Sequence, residues 1–105
     1  MLHLALYLFL SNPHHKLKQE LKIAEKDLAI YQATNCSDSN FINVFIDFQQ
    51  EITQLAEVVK QSSEKDIKKN EAELDAFISS AKQVVQDQED CVNSLNTTPT
   101  SHSKI

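Results

Sequence analysis

The fold is decided by residues 35–95, which read NCSDSNFINVFIDFQQEITQLAEVVKQSSEKDIKKNEAELDAFISSAKQVVQDQEDCVNSL. Two long runs with the apolar periodicity of helices are separated here by a short polar break, QSSE, at residues 61–64. One cysteine stands at each outer end, and the midpoint between them falls within this break. If the chain reverses there, Cys36 and Cys91 come out level with each other and can form a disulfide.

The composition favours helices throughout. The chain has 105 residues, which is the size of one domain, and it contains no Gly. A chain without Gly lacks the residue that most readily adopts positive φ in tight β-hairpins, whereas Ala, Leu, Glu, Lys and Gln are good helix formers. We therefore expect an all-α fold.

Three helices are predicted, over residues 14–34, 40–61 and 64–95. The apolar stripe of the first helix steps alternately by four and three residues, and so does that of the second. The second helix is apolar nearly all round at its start, and we expect it to be the most buried element. In the third helix, Glu71 and Gln88 occupy stripe positions, and we expect water to reach both near the ends. The three stripes comprise Leu17, Leu21, Ala24, Leu28 and Tyr31, then Phe41, Phe45, Phe48, Ile52, Leu55 and Val59, then Ile67, Leu74, Ile78, Ala81, Val85, Val92 and Leu95.

Two arrangements of these helices are open. One continuous rod after residue 40 would hold the two cysteines about 80 Å apart, because a helix rises about 1.5 Å per residue. A reversal at residues 61–64 brings them together, and the placement of the cysteines about this break favours it. The predicted fold is an antiparallel up-down-up three-helix bundle over residues 14–95, closed by a Cys36–Cys91 disulfide.

Both ends of the chain differ from the predicted bundle. Residues 1–13 begin with MLHLALYLFL, a run too short to span a bilayer. It has the length of the apolar core of a signal peptide, and the alternative is an apolar helix that packs on the bundle. Residues 96–105, NTTPTSHSKI, have no apolar pattern and are predicted to form a disordered tail.

Two N-glycosylation sequons begin at Asn35 and Asn96, and both fall in predicted loops. Asn35 is the poorer acceptor, because its neighbour Cys36 is predicted to be bonded. The sequons, the apolar N-terminus and the cysteine pair together favour a secreted protein.

Several classes of function are disfavoured. The net charge is −5 and the chain contains no Arg, which argues against nucleic-acid binding. His14 and His15 are adjacent and point in different directions on a helix, so we predict no metal site there. No motif indicates a catalytic residue or a cofactor, and an enzyme is not expected.

The sequence thus predicts a small secreted protein that acts by binding, as a monomer or homodimer. Its partner would be another protein or an apolar small ligand, bound on the surface or in a shallow apolar groove. The aromatic stripe of Phe41, Phe45 and Phe48 is interpreted as core, with a ligand cavity between helices as the alternative. The alternative function is an intracellular, cytoplasmic coiled-coil module that self-associates and keeps free thiols.

Overall fold

The computed structural model describes the backbone of residues 13–104 and the side chains of residues 16–96. This part of the chain is all-helical and contains no strand, which confirms the predicted fold class. The predicted N-terminal segment lies outside the described residues apart from Pro13. The described residues form four helices, α1 (Pro13–Ala33), α2 (Phe41–Gln61), α3 (Glu64–Lys69) and α4 (Glu71–Lys104).

The stripe of α1 is the most buried surface of the structure. Leu17, Leu21 and Ala24 are fully enclosed. The expectation that the second helix would be the most buried is wrong, since Ile42 at the start of α2 is 61% exposed. The reason is that α1 packs against both α2 and α4, whereas the main contact of α2 is with α1.

Contacts along α1 define the relative heights of its neighbours. Near its start, the Lys16 ammonium donates to the side-chain oxygen of Gln61, the last residue of α2, at 3.5 Å. Near its end, the Tyr31 ring stacks on Phe48 in the first half of α2, with 5.0 Å between ring centroids. The start of α1 therefore lies beside the end of α2, and the end of α1 beside the first half of α2.

The predicted reversal occurs at Ser62 and Ser63. Ser62 is extended, with φ −83° and ψ 150°, and it ends α2. The Ser63 hydroxyl accepts a hydrogen bond from the Asp66 amide at 3.2 Å, which is the predicted N-cap. The continuous rod is therefore not the structure of this chain.

The predicted third helix is interrupted at Asn70. The buried Asn70 side chain donates to the carbonyl of Asp66 at 2.9 Å. The backbone amide of Asn70 donates to the same carbonyl, at 3.2 Å. α4 then continues to Lys104, through the segment that the sequence predicts to be a disordered tail. Extending an existing helix adds one hydrogen bond for each residue fixed, an advantage that composition alone does not reveal.

Gln88 is buried, and this corrects the expectation that water reaches it. Its amide nitrogen donates to two carbonyl oxygens at the end of α1, Tyr31 O at 2.7 Å and Thr34 O at 2.9 Å. The last carbonyls of a helix lack partners within that helix. Gln88 therefore caps α1 from α4 and fixes the position of one helix along the axis of the other. Glu71, the other polar residue of the predicted stripe, is exposed as expected.

Replacing Gln88 with methionine keeps the volume of the side chain but removes its two donated hydrogen bonds. We expect the free energy of unfolding to fall by about 2 kcal/mol, because the Thr34 carbonyl loses its Gln88 donor and the Tyr31 carbonyl keeps only the Thr34 amide, at 3.3 Å. Urea denaturation followed by circular dichroism measures this change. The control is Gln83→Met, since Gln83 is exposed and bonds Asp87 on its own helix. Equal losses in the two variants would contradict the proposed role of Gln88.

Candidate functional site

An open apolar groove lies between α2 and α4. Its volume is about 720 Å³, and it is open to solvent along one side. Ile78, one of its lining residues, is 42% exposed. The apolar lining comes from both helices and comprises Phe48, Ile52, Leu55, Ala56, Val59, Leu74, Phe77, Ile78, Ala81 and Val85.

The groove follows from the position of α1. α1 contacts α2 on one side and α4 on the other, so it holds these two helices apart. Deep lining residues such as Leu55 and Phe77 reach the core, while Ile78 and Val85 remain exposed at the rim. An exposed apolar surface of this kind makes the groove the candidate binding site of the described residues.

The aromatic stripe of α2 packs mainly in the core, as predicted. Tyr31 contacts three phenylalanine rings, with centroid distances of 5.8 Å to Phe41, 5.8 Å to Phe45 and 5.0 Å to Phe48. Phe48 also forms part of the groove wall. The alternative of a ligand cavity thus applies to the last member of the stripe only.

The two cysteines meet at one end of the molecule. Cys36, in the segment between α1 and α2, and Cys91, on α4, have their sulfurs 1.99 Å apart and their α-carbons 6.2 Å apart. This is disulfide distance, as the placement of the cysteines about the Ser62–Ser63 reversal predicts. Cys36 is buried and Cys91 half-buried, so the pair acts as a clamp between the end of α1 and α4.

The sequons lie in different surroundings. Asn35 is exposed, and its side-chain oxygen accepts hydrogen bonds from the amide and the hydroxyl of Ser37, at 2.9 and 2.7 Å. Asn96 is exposed on α4 rather than in a loop, which corrects the expected placement of the second sequon. Glycosylation at either position stays a prediction.

A carboxyl pair joins α1 and α2. Burial and a hydrogen bond with Glu20 raise the pKa of Glu51 from its usual 4.5 to about 8, and the charges of Glu20 and Asp27 add to the effect. Burial, and then the charge of Asp47, also raise the pKa of Asp27. The raised pKa favours the protonated form of Glu51, in which the carboxyl group can act as the donor toward Glu20.

A second carboxyl pair joins α1 and α4. Burial and a hydrogen bond with Glu73 raise the pKa of Glu25. The same hydrogen bond lowers the pKa of Glu73, and Lys22, whose ammonium is 3.5 Å from a Glu73 oxygen, lowers it further. The two pKa shifts have opposite directions, so Glu25 is the member of the pair that binds a proton first as the pH falls.

The described part of the chain offers neither a metal site nor a membrane-spanning helix. Within it, no three or more His, Cys, Asp or Glu side chains are grouped so that they could hold a metal ion. The same residues include no helix with the length and hydropathy needed to cross a bilayer.

Compared with models of known families, with curated proteins and with solved structures, the chain shows no match. The groove is therefore interpreted from its own geometry.

The Cys36–Cys91 bond is tested by mass. The intact oxidised protein is expected to be two hydrogens lighter than the reduced protein, with one bonded peptide pair after digestion. Replacing both cysteines with serine should lower the free energy of unfolding by about 4 kcal/mol on the chain-entropy model. A bond between two chains, found by non-reducing electrophoresis, would contradict the pairing within one chain.

The Glu51 pair makes stability depend on pH. The pKa of Glu51 is about 8 in the folded protein against 4.5 ordinarily. Between these values the folded state binds more protons than the unfolded state, so the free energy of unfolding falls as the pH rises. Glu51→Gln keeps a donor toward Glu20 without a charge. We expect it to raise the free energy of unfolding by about 1 kcal/mol at about pH 8 and to change little at about pH 4.

The measurement is urea denaturation of both proteins at the two pH values. Glu57→Gln is the matched control, because Glu57 is exposed on the same helix. The same gain in both variants, or a gain in Glu51→Gln that does not vary with pH, would refute the assignment.

Proposed function

We propose that this protein is a small, non-enzymatic binding protein and that the groove between α2 and α4 binds an apolar small ligand. The observation that carries the proposal is the groove itself, with ten apolar lining side chains and a volume of about 720 Å³. Pockets for small ligands have volumes of roughly 300–1,000 Å³ and mostly apolar walls. No His, Asp, Glu or Cys is among the lining residues of the described groove, so its composition suits binding rather than acid–base chemistry.

The architecture that we propose around the groove is an up-down-up three-helix bundle, with α3 and α4 together as the third helix. Three contacts support it. Lys16 meets Gln61 where α1 starts and α2 ends. Lys22, in the middle of α1, meets Glu73 near the start of α4, and Gln88, further along α4, meets the end of α1. α2 then runs against α1, and α4 runs with it.

A protein partner is the main competitor for the groove. A helix of a partner would need a long and continuous apolar surface, since helix-in-groove recognition uses anchors over at least two turns. The length of the groove on α2, from Phe48 to Val59, is about 16 Å or three turns, so it accommodates either occupant and the choice depends on the polar residues. Its polar residues are confined to one end, which suits a small ligand that has one polar end.

We further propose that the protein is secreted. The Cys36–Cys91 pair at disulfide distance supports this proposal, because disulfides form and persist outside the reducing cytosol. It also weighs against the alternative of an intracellular coiled-coil module with free thiols. A loss of mass after glycosidase treatment of the natural protein would show that Asn35 or Asn96 is glycosylated and support the secretory route.

The binding function is tested with Nile red, a neutral dye whose fluorescence rises in apolar surroundings. We expect it to bind the full chain, and Ile78→Asn to weaken the binding about tenfold, because a polar group replaces apolar surface inside the groove. The control is Ile23→Asn on α1, since Ile23 is 43% exposed and Ile78 is 42% exposed. Equal weakening by both variants, or no binding by the unmodified protein, would overturn the proposal.

A further inference from the structure

The polar residues of the groove are all at one end. Three polar side chains line it, Gln49 from α2 and Lys82 and Gln86 from α4. Gln49 follows Phe48, whose ring stacks on Tyr31. Gln86 lies half a turn before Gln88, which donates to the carbonyl of the same Tyr31. All three therefore lie toward the Tyr31 end, whereas the opposite end, around Val59 and Leu74, is lined by apolar residues only.

Lys82 is the one charged residue in the described lining of the groove. It is exposed, and its neighbours one turn away on α4, at positions 78, 79, 85 and 86, are Ile, Ser, Val and Gln. In the described part of the chain no carboxylate forms an ion pair with its ammonium, although the whole chain has a net charge of −5. The groove thus has a positive end on an acidic protein.

We infer that the ligand of this groove is a singly charged anionic amphiphile, with one alkyl tail and a carboxylate head. The inference rests on the proposed function and names the class of its ligand. The tail lies along the apolar end between α2 and α4, and the head lies beside Lys82. The Gln49 and Gln86 amides are hydrogen-bond donors for the carboxylate oxygens.

The dimensions of the groove fit such a molecule. Val59 lies ten positions after Gln49 on α2, which corresponds to about 15 Å of helix. A single extended alkyl chain of medium length fills this distance, and dodecanoate is the appropriate probe. The ion pair between an exposed lysine and a carboxylate contributes modestly to the free energy of binding. The tail therefore supplies most of the affinity, and the head determines the orientation of the ligand.

The test compares three probes with the same tail, each below its micelle concentration. Dodecanoate carries a negative head, dodecyltrimethylammonium a positive head and dodecyl maltoside a neutral head. Titration of the full chain measures each affinity, with displacement of Nile red as a second readout. We expect dodecanoate to bind about fivefold more tightly than dodecyltrimethylammonium at low salt, with the difference shrinking at high salt.

Lys82→Met should weaken dodecanoate binding about threefold to fivefold. Its effect on dodecyl maltoside binding should be smaller, because that head carries no charge, and binding of this probe also shows that the groove of the variant is intact. The matched control is Lys60→Met, because Lys60 is an exposed lysine of α2 outside the lining. It removes the same charge from the protein, and we expect it to leave all three affinities unchanged.

Each contrary outcome has a definite meaning. Equal affinities for the three probes, unchanged in Lys82→Met, would overturn the anionic ligand while the proposed function stands. Equal losses in Lys82→Met and Lys60→Met would overturn it in favour of general charge attraction. If none of the probes binds, the proposed function fails as well. If the probes bind only to a chain that lacks residues 1–12, the groove is occupied by another part of the protein. If they bind only after a dimer dissociates, the groove is occupied by a second copy.

Discussion

Burial of one helix by two others is the constraint on which the structure depends. The stripe of α1 is enclosed by the packing of α1 against α2 and against α3 and α4. Leu17, Leu21 and Ala24 lose all contact with water in this way, and burying such apolar surface is the main favourable term in folding. A helix that is shared by two neighbours also keeps those neighbours apart. The same packing that stabilises the fold therefore leaves the apolar groove between α2 and α4.

Much of this arrangement is predictable from the sequence, because helical periodicity and cysteine placement are strong signals. The stripes of α1 and α2 lie where the spacing predicts, and Ser63 caps α3 as expected. The meeting of Cys36 and Cys91 follows from their positions about the Ser62–Ser63 reversal. These features depend on local spacing or on simple geometry, which a sequence records directly.

Other features depend on which neighbour covers a surface, and spacing does not show that. The sequence predicts that Gln88 contacts water, yet it is buried because the carbonyls at the end of α1 need donors. The sequence predicts a shallow apolar groove but not its position, since a stripe does not reveal which flank another helix covers. The sequence contains one signal of this position. Ile78 and Val85 belong to an apolar row that is too wide for a single neighbouring helix to cover, and both are exposed. The break at Asn70 depends on its hydrogen bond with the Asp66 carbonyl, which no periodic pattern contains.

The position of the cysteines also gives the groove a topological property. With the sulfurs bonded, residues 36–91 form a covalently closed ring, and every residue that lines the groove belongs to it. α2 is one long side of this ring and α3 with α4 is the other, while α1 lies outside the ring and contributes no lining residue to the described groove. The ring is held at one end by Ser62 and Ser63 and at the other by the bonded sulfurs. The two walls can therefore separate widely only if the ring is cut, and reduction cuts it at the end where the polar lining residues lie.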